Sequence, residues 1–106
     1  MAAFGTVILD SPEAKIFNVT INENEAVATD TLMLFAAGGM TNFNQAPQEK
    51  YWVEITDAAI VMTIDVAFGI SAPTTTGFHI VKTSAAGVGA IVHTFRVYMH
   101  SRRFYQ

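Results

Sequence analysis

Ile16-Phe17-Asn18-Val19-Thr20-Ile21-Asn22 alternates apolar and polar side chains without a break. A period of two belongs to a β-strand with one buried and one wet face. Phe17, Val19 and Ile21 therefore face a core, and Asn18, Thr20 and Asn22 face away from it. Nowhere does the 3.6-residue apolar period of an amphipathic helix persist for ten residues.

Upstream of this stretch, Ala3 to Leu9 reads as a first strand. It is stopped by Asp10-Ser11-Pro12, because proline cannot continue a ladder. Downstream, Asn22-Glu23-Asn24 reads as a turn and Thr31 to Phe35 as a third strand, closed by Gly38-Gly39. A long polar loop covers 36–50. Tyr51 to Thr56 and Ala58 to Phe68 are the next strands, and a loop with Pro73 and three consecutive threonines covers 69–77. Phe78 to Thr83 and Ala90 to Met99 then read as a hairpin around Ala85 to Gly89. In the last strand His93, Phe95, Val97 and Met99 alternate with Thr94, Arg96, Tyr98 and His100.

Seven or eight strands with turn signals at regular spacing predict an all-β fold. The expected form is an antiparallel β-sandwich or small barrel, jelly-roll-like or immunoglobulin-like. A chain of 106 residues fits a single domain over 1–106.

Composition narrows the function classes. Hydrophobic residues make up 51% of the chain and charged residues 14%, against about 25% charged in average soluble domains. A small domain has much surface to cover, so an apolar excess of this size is expected to leave contact patches outside. Cysteine is absent, which removes disulfides and thiol chemistry. Met1 to Gly5 lacks the basic start of a signal peptide, so secretion by that route is not expected. The apolar run Ala58 to Ile70 is broken by Thr63 and Asp65 and is too short to span a bilayer.

Charge is unevenly spread. Residues 1–57 hold eight acids and two bases, whereas residues 58–106 hold one acid and four bases. Arg96, Arg102 and Arg103 lie among Tyr98, Phe104 and Tyr105 near the end. Arginine and tyrosine are enriched at interface centres, so this segment reads as an interface anchor that docks on an acidic surface. Single-strand nucleic-acid binders also combine bases with aromatics. The chain as a whole is acidic, with a sequence pI near 5.4, so a nucleic-acid partner is not expected.

Catalytic and metal chemistry find little support. His79, His93 and His100 are spaced by fourteen and seven residues with no cysteine beside them, which is not a zinc pattern. His93 and His100 have opposite strand parity. No serine sits in a nucleophile elbow. Asp65 has neither a second carboxylate nor a histidine visible beside it in the sequence, and Arg96 or the terminal arginines are its natural partners. Asn18-Val19-Thr20 matches the glycosylation pattern but lies within a strand. No cofactor is expected.

The expected function is therefore non-enzymatic: a structural subunit of a protein assembly, working through contacts with copies of itself and with a larger lattice. A homo-oligomer, with a trimer favoured, follows from the apolar surface and the opposed charge of the two halves. Small apolar all-β chains are common among virion proteins, and by that analogy the chain is expected to be a capsid cement or decoration protein, assembled in a host cytoplasm. Phe43, in the long loop, is expected to reach a neighbouring subunit. A second class is a binding module for a carbohydrate or peptide. Loops 36–50 and 69–77 would build its site, with Asn42 and Asn44 bonding hydroxyls and Tyr51 or Trp52 stacking on a ring.

Overall fold

The computed structural model describes residues 2–25, 30–55, 67–84 and 91–101. Seven strands are found among them: β1 (Ala3–Asp10), β2 (Ala14–Asn22), β3 (Asp30–Leu34), β4 (Glu49–Glu54), β5 (Phe68–Ser71), β6 (Gly77–Lys82) and β7 (Val92–His100). The only helical piece among the described residues is a 3-10 turn, Phe35–Gly38. None of these elements is a helix long and apolar enough to cross a membrane.

All pairings are antiparallel. One sheet has the order β1-β2-β7-β4 and the other β3-β6-β5. The fold is thus a sandwich with open edges and not a closed barrel. An immunoglobulin arrangement seats the fifth strand between the second and fourth. Here the last strand takes that place, so the sheet order is jelly-roll-like.

Strand β2 behaves as its alternation dictates. Phe17, Val19 and Ile21 are buried, while Asn18, Thr20 and Asn22 are only partly covered. Phe95, Val97 and Met99 of β7 join them on the inner face, and Met33, Phe68, Phe78 and Ile80 come from the second sheet. Phe17, Phe35 and Phe78 form the aromatic centre, with ring centroids 5.5–6.3 Å apart.

The β1–β2 turn is held by Ser11, whose hydroxyl accepts the Ala14 N–H at 3.0 Å and donates to the Ala14 carbonyl at 3.1 Å. Gly39, in the left-handed region at φ 78°, ends the 3-10 turn. Gly77 lies opposite Leu34, where a Cβ would meet the Met33 carbonyl oxygen at 2.5 Å. Only glycine lets β6 approach β3 that closely.

Three expectations need correction. β6 and β7 do not form a hairpin, because they lie in different sheets. β6 pairs with β3 and β5, while β7 pairs with β2 and β4. The segment 69–77 is not all loop, since β5 extends to Ser71 and β6 starts at Gly77. Phe43 does not reach outward: it is 4% exposed and packs edge-on against Phe35, centroids 5.3 Å apart. A phenyl ring in a polar loop gains more from the adjacent core than from solvent. The expected strand over 58–68 falls outside the described residues as far as 66.

Candidate functional site

The outer face of the four-stranded sheet is built by register. Leu9 of β1 lies opposite Ile16 of β2, Ile16 opposite Tyr98 of β7, and Tyr98 opposite Tyr51 of β4. One continuous apolar and aromatic row thus crosses all four strands. Tyr51 and Tyr98 stack face to face, with centroids 4.6 Å apart and planes 9° apart. A groove of about 260 Å³ runs along this row, lined by Leu9, Ala14, Ile16, Tyr51, Tyr98 and His100.

The next row holds Asn18, Arg96 and Val53. The Arg96 Nε–H donates to the Asn18 side-chain oxygen at 3.3 Å. Beyond it come Thr20, Thr94 and Ile55. Parity of the paired strands puts only two full charges on this face, Glu49 and Arg96. Exposure is high along β4 and its continuation, at 52% for Tyr51, 48% for Val53 and 44% for Ile55, and Val92 of β7 on the same face is 50% exposed. Every residue of β4 is exposed.

Tyr51 and Trp52 point to opposite faces of β4. Trp52 turns towards the second sheet, where it stacks on Phe68 with centroids 5.9 Å apart, and it keeps 37% of its surface in solvent. Asn42 and Asn44 are exposed in the loop beside the β1–β2 turn, and the Asn44 N–H bonds the Pro12 carbonyl at 2.9 Å. The four residues of the expected binding site are therefore not gathered on one surface. Of the expected interface residues, Arg96 and Tyr98 share the outer face, Phe43 is in the core, and Arg102, Arg103, Phe104 and Tyr105 lie outside the described residues.

Two buried charge clusters were not visible in the sequence. Lys15, fully buried, donates through Nζ to Asp10, to the Ser11 carbonyl at 3.0 Å and to the Thr41 hydroxyl at 3.2 Å. Its ammonium also lies over the rings of Phe43 and Phe35, 5.0 and 5.5 Å from their centroids. Asp10 accepts the Thr41 N–H at 3.1 Å. Desolvation opposes ionisation of Asp10. The hydrogen bonds from Lys15 and Thr41, with the Lys15 charge, outweigh it and hold the carboxyl below its usual range.

The second cluster is Glu23–His93–Glu54. His93 and Glu23 are each 1% exposed. The imidazole bonds Glu54 through Nδ1 and lies 3.4 Å from Glu23 Oε2 through Nε2. A neutral imidazole has one N–H, so full pairing of both contacts needs one further proton within the trio. Both ring nitrogens are engaged, which leaves neither for a substrate. The carboxylates approach opposite sides of the ring and do not converge on a point, and among the described residues no His, Asp and Glu group is arranged to hold a metal ion. Asp10 and Lys15 meet as direct cross-strand partners of the β1–β2 hairpin, and Glu23, Glu54 and His93 come from far apart in sequence, so the strand pairing and not any local spacing brings each cluster together.

His79 contacts Asp30 through Nδ1 at 2.8 Å on the outer face of the second sheet, beside exposed Leu32. Between β1 and β3, where the two sheets gape, lies a larger cavity of about 490 Å³ lined by Ala2, Phe4, Asp30, Leu32, Leu34 and Ala37.

No protein-family model, no curated protein and no solved structure matches the chain.

Proposed function

We propose that this chain is a non-enzymatic structural subunit of a protein assembly, acting through the outer face of its four-stranded sheet and the adjoining edge strand β4. The observation that carries this reading is the row Leu9–Ile16–Tyr98–Tyr51 with its exposed neighbours Val53 and Ile55. A contiguous apolar surface of this kind marks a contact site on a stable protein. Tyrosines at its centre, an arginine beside them and little other charge match the anatomy of interfaces, where aromatics and arginine are enriched. A capsid surface, as for a cement or decoration protein, is one lattice that would present a matching apolar face.

The test is light scattering over a dilution series, with Ile16→Lys as the variant that plants a charge in the middle of the row. The wild type should associate, and Ile16→Lys should lower the associated fraction while circular dichroism stays unchanged. A wild type that remains monomeric at millimolar concentration and binds no particle would overturn the reading.

A further inference from the structure

The chemistry of β4 is symmetric about its tryptophan: Lys50-Tyr51-Trp52-Val53-Glu54. Which of its peptide groups turn away from β7 follows from one hydrogen bond. The Ile55 N–H donates to the Thr94 carbonyl at 2.8 Å, so the Ile55 peptide faces β7. Alternate residues of an antiparallel ladder do the same, which assigns Val53 and Tyr51 to β7. The peptide groups of Lys50, Trp52 and Glu54 then face the sheet edge, and among the described residues β4 pairs with β7 alone. An edge strand with exposed apolar side chains is a template for another strand.

We infer that β4 pairs antiparallel with β4 of a second copy of this chain, across a two-fold axis that passes between their Trp52 residues. This rests on the assembly reading above and names its partner.

The register is chosen by the charges. Centring the pair on Lys50 sets two ammonium groups together, and centring it on Glu54 sets two carboxylates together. Centring on Tyr51 or Val53 places Trp52 against Lys50 or Glu54 and leaves the other charge unmatched. Centring on Trp52 opposes Lys50 to the partner's Glu54, and Glu54 to the partner's Lys50. It also uses the outward peptide groups of all three residues. On the outer face Tyr51 then lies opposite the partner's Val53.

The side chains are ready for this. Lys50 is exposed and makes no ion pair among the described residues. Glu54 bonds His93 through one oxygen, is 32% exposed, and has its second oxygen to offer. A contact of this type is isologous and closes at two copies, so the unit it builds is a dimer and not the trimer suggested by composition. Its two four-stranded sheets run on as one sheet of eight.

Three measurements on the full chain test it. Sedimentation velocity of Lys50→Glu, which turns both ion pairs into repulsions, should show a dissociation constant raised about tenfold or more. An equimolar mixture of Lys50→Glu with Glu54→Lys should recover association to near the wild-type value, since each variant then meets its complement. Because Glu54→Lys also gives up the His93 contact and can fail to fold, Trp52→Cys provides an independent check. The natural chain has no cysteine, and directly opposed residues of a hydrogen-bonded pair lie about 5.5 Å apart at Cα, within disulfide reach. Trp52→Cys should cross-link to dimer under mild oxidation, whereas exposed Leu32→Cys on the other sheet should not. If the wild type associates but Lys50→Glu does so equally, and Trp52→Cys cross-links no faster than Leu32→Cys, the edge pairing is overturned and the assembly reading stands. If the wild type does not associate at all, both fall.

Discussion

Phe43 carries the ammonium of Lys15 over its ring, 5.0 Å from the centroid. A polar loop is thereby fastened to the core from both ends of one contact, with Thr41 bound to Asp10 and Lys15 and Phe43 packed on Phe35. Phe43→Ala should cost about 3–4 kcal/mol of stability, as for other buried phenylalanines. Deleting residues 40–46 should prevent folding altogether. Urea denaturation of both variants checks this, and a deletion variant with a wild-type midpoint would show that the loop is dispensable.

Asp10 sets the behaviour in acid. Its folded-state pKa lies below the ordinary carboxylate value, so its contribution is fully present above the unfolded pKa and is lost as pH falls through the folded one. Asp10→Asn leaves the buried Lys15 charge without its carboxylate and should cost about 1–3 kcal/mol at pH 6, because Asp10 itself is open to solvent, which screens the pair. Below pH 4 the wild type loses this advantage, and the gap to Asp10→Asn should narrow. Urea midpoints of both proteins at pH 6 and pH 3 provide the comparison; a gap that does not change with pH would count against the assignment.

Replacing His93 by leucine should destabilise strongly, by about 3 kcal/mol or more, because Glu23 would be left buried without its imidazole. Adding Glu23→Leu should return a large part of the loss, since two apolar side chains can fill the site without an unpaired charge. Thermal melts of the single and double variants measure the coupling. Strict additivity would mean that the 3.4 Å contact does not matter.

Tyr98→Ala removes the stacked partner of Tyr51 on a face that is otherwise open. The expected cost to folding is about 1 kcal/mol, with a fall in association larger than that modest loss implies. Parallel melting and light-scattering curves separate the two effects. A large loss of stability with unchanged association would place the tyrosine pair in the fold and not in the contact.

The alternation in β2 and β7 made both strands, their faces and much of the core readable from residue order alone. Phe17, Val19, Phe95 and Val97 fall where a period of two puts them. Pairing was less accessible. Phe78 to Thr83 and Ala90 to Met99 are neighbours in sequence, and adjacency favoured a hairpin; the cores of the two sheets instead take one strand each. Phe43 was misread because loop residues have no periodicity that tells inside from outside. Lys15 follows the buried parity of Phe17 but carries a charge, and its burial rests on Asp10 and Thr41, which only the folded chain brings near. Tyr51 and Tyr98 were each singled out, yet for different sites; the register that stacks them is a property of β4 and β7 together.

The seat of β7 has a kinetic meaning. That strand lies between β2 and β4, which among the described residues have no other link to each other within their sheet. Until it arrives, the β1–β2 hairpin and β4 are separate fragments, and neither can close the inner face that holds Phe17 and Trp52. Loop closure over so long a separation is slow, and while it waits the nascent chain exposes its apolar strands to other chains. Formation of the four-stranded sheet is therefore gated by β7, and a chain cut before Val92 lacks the strand that joins β2 to β4.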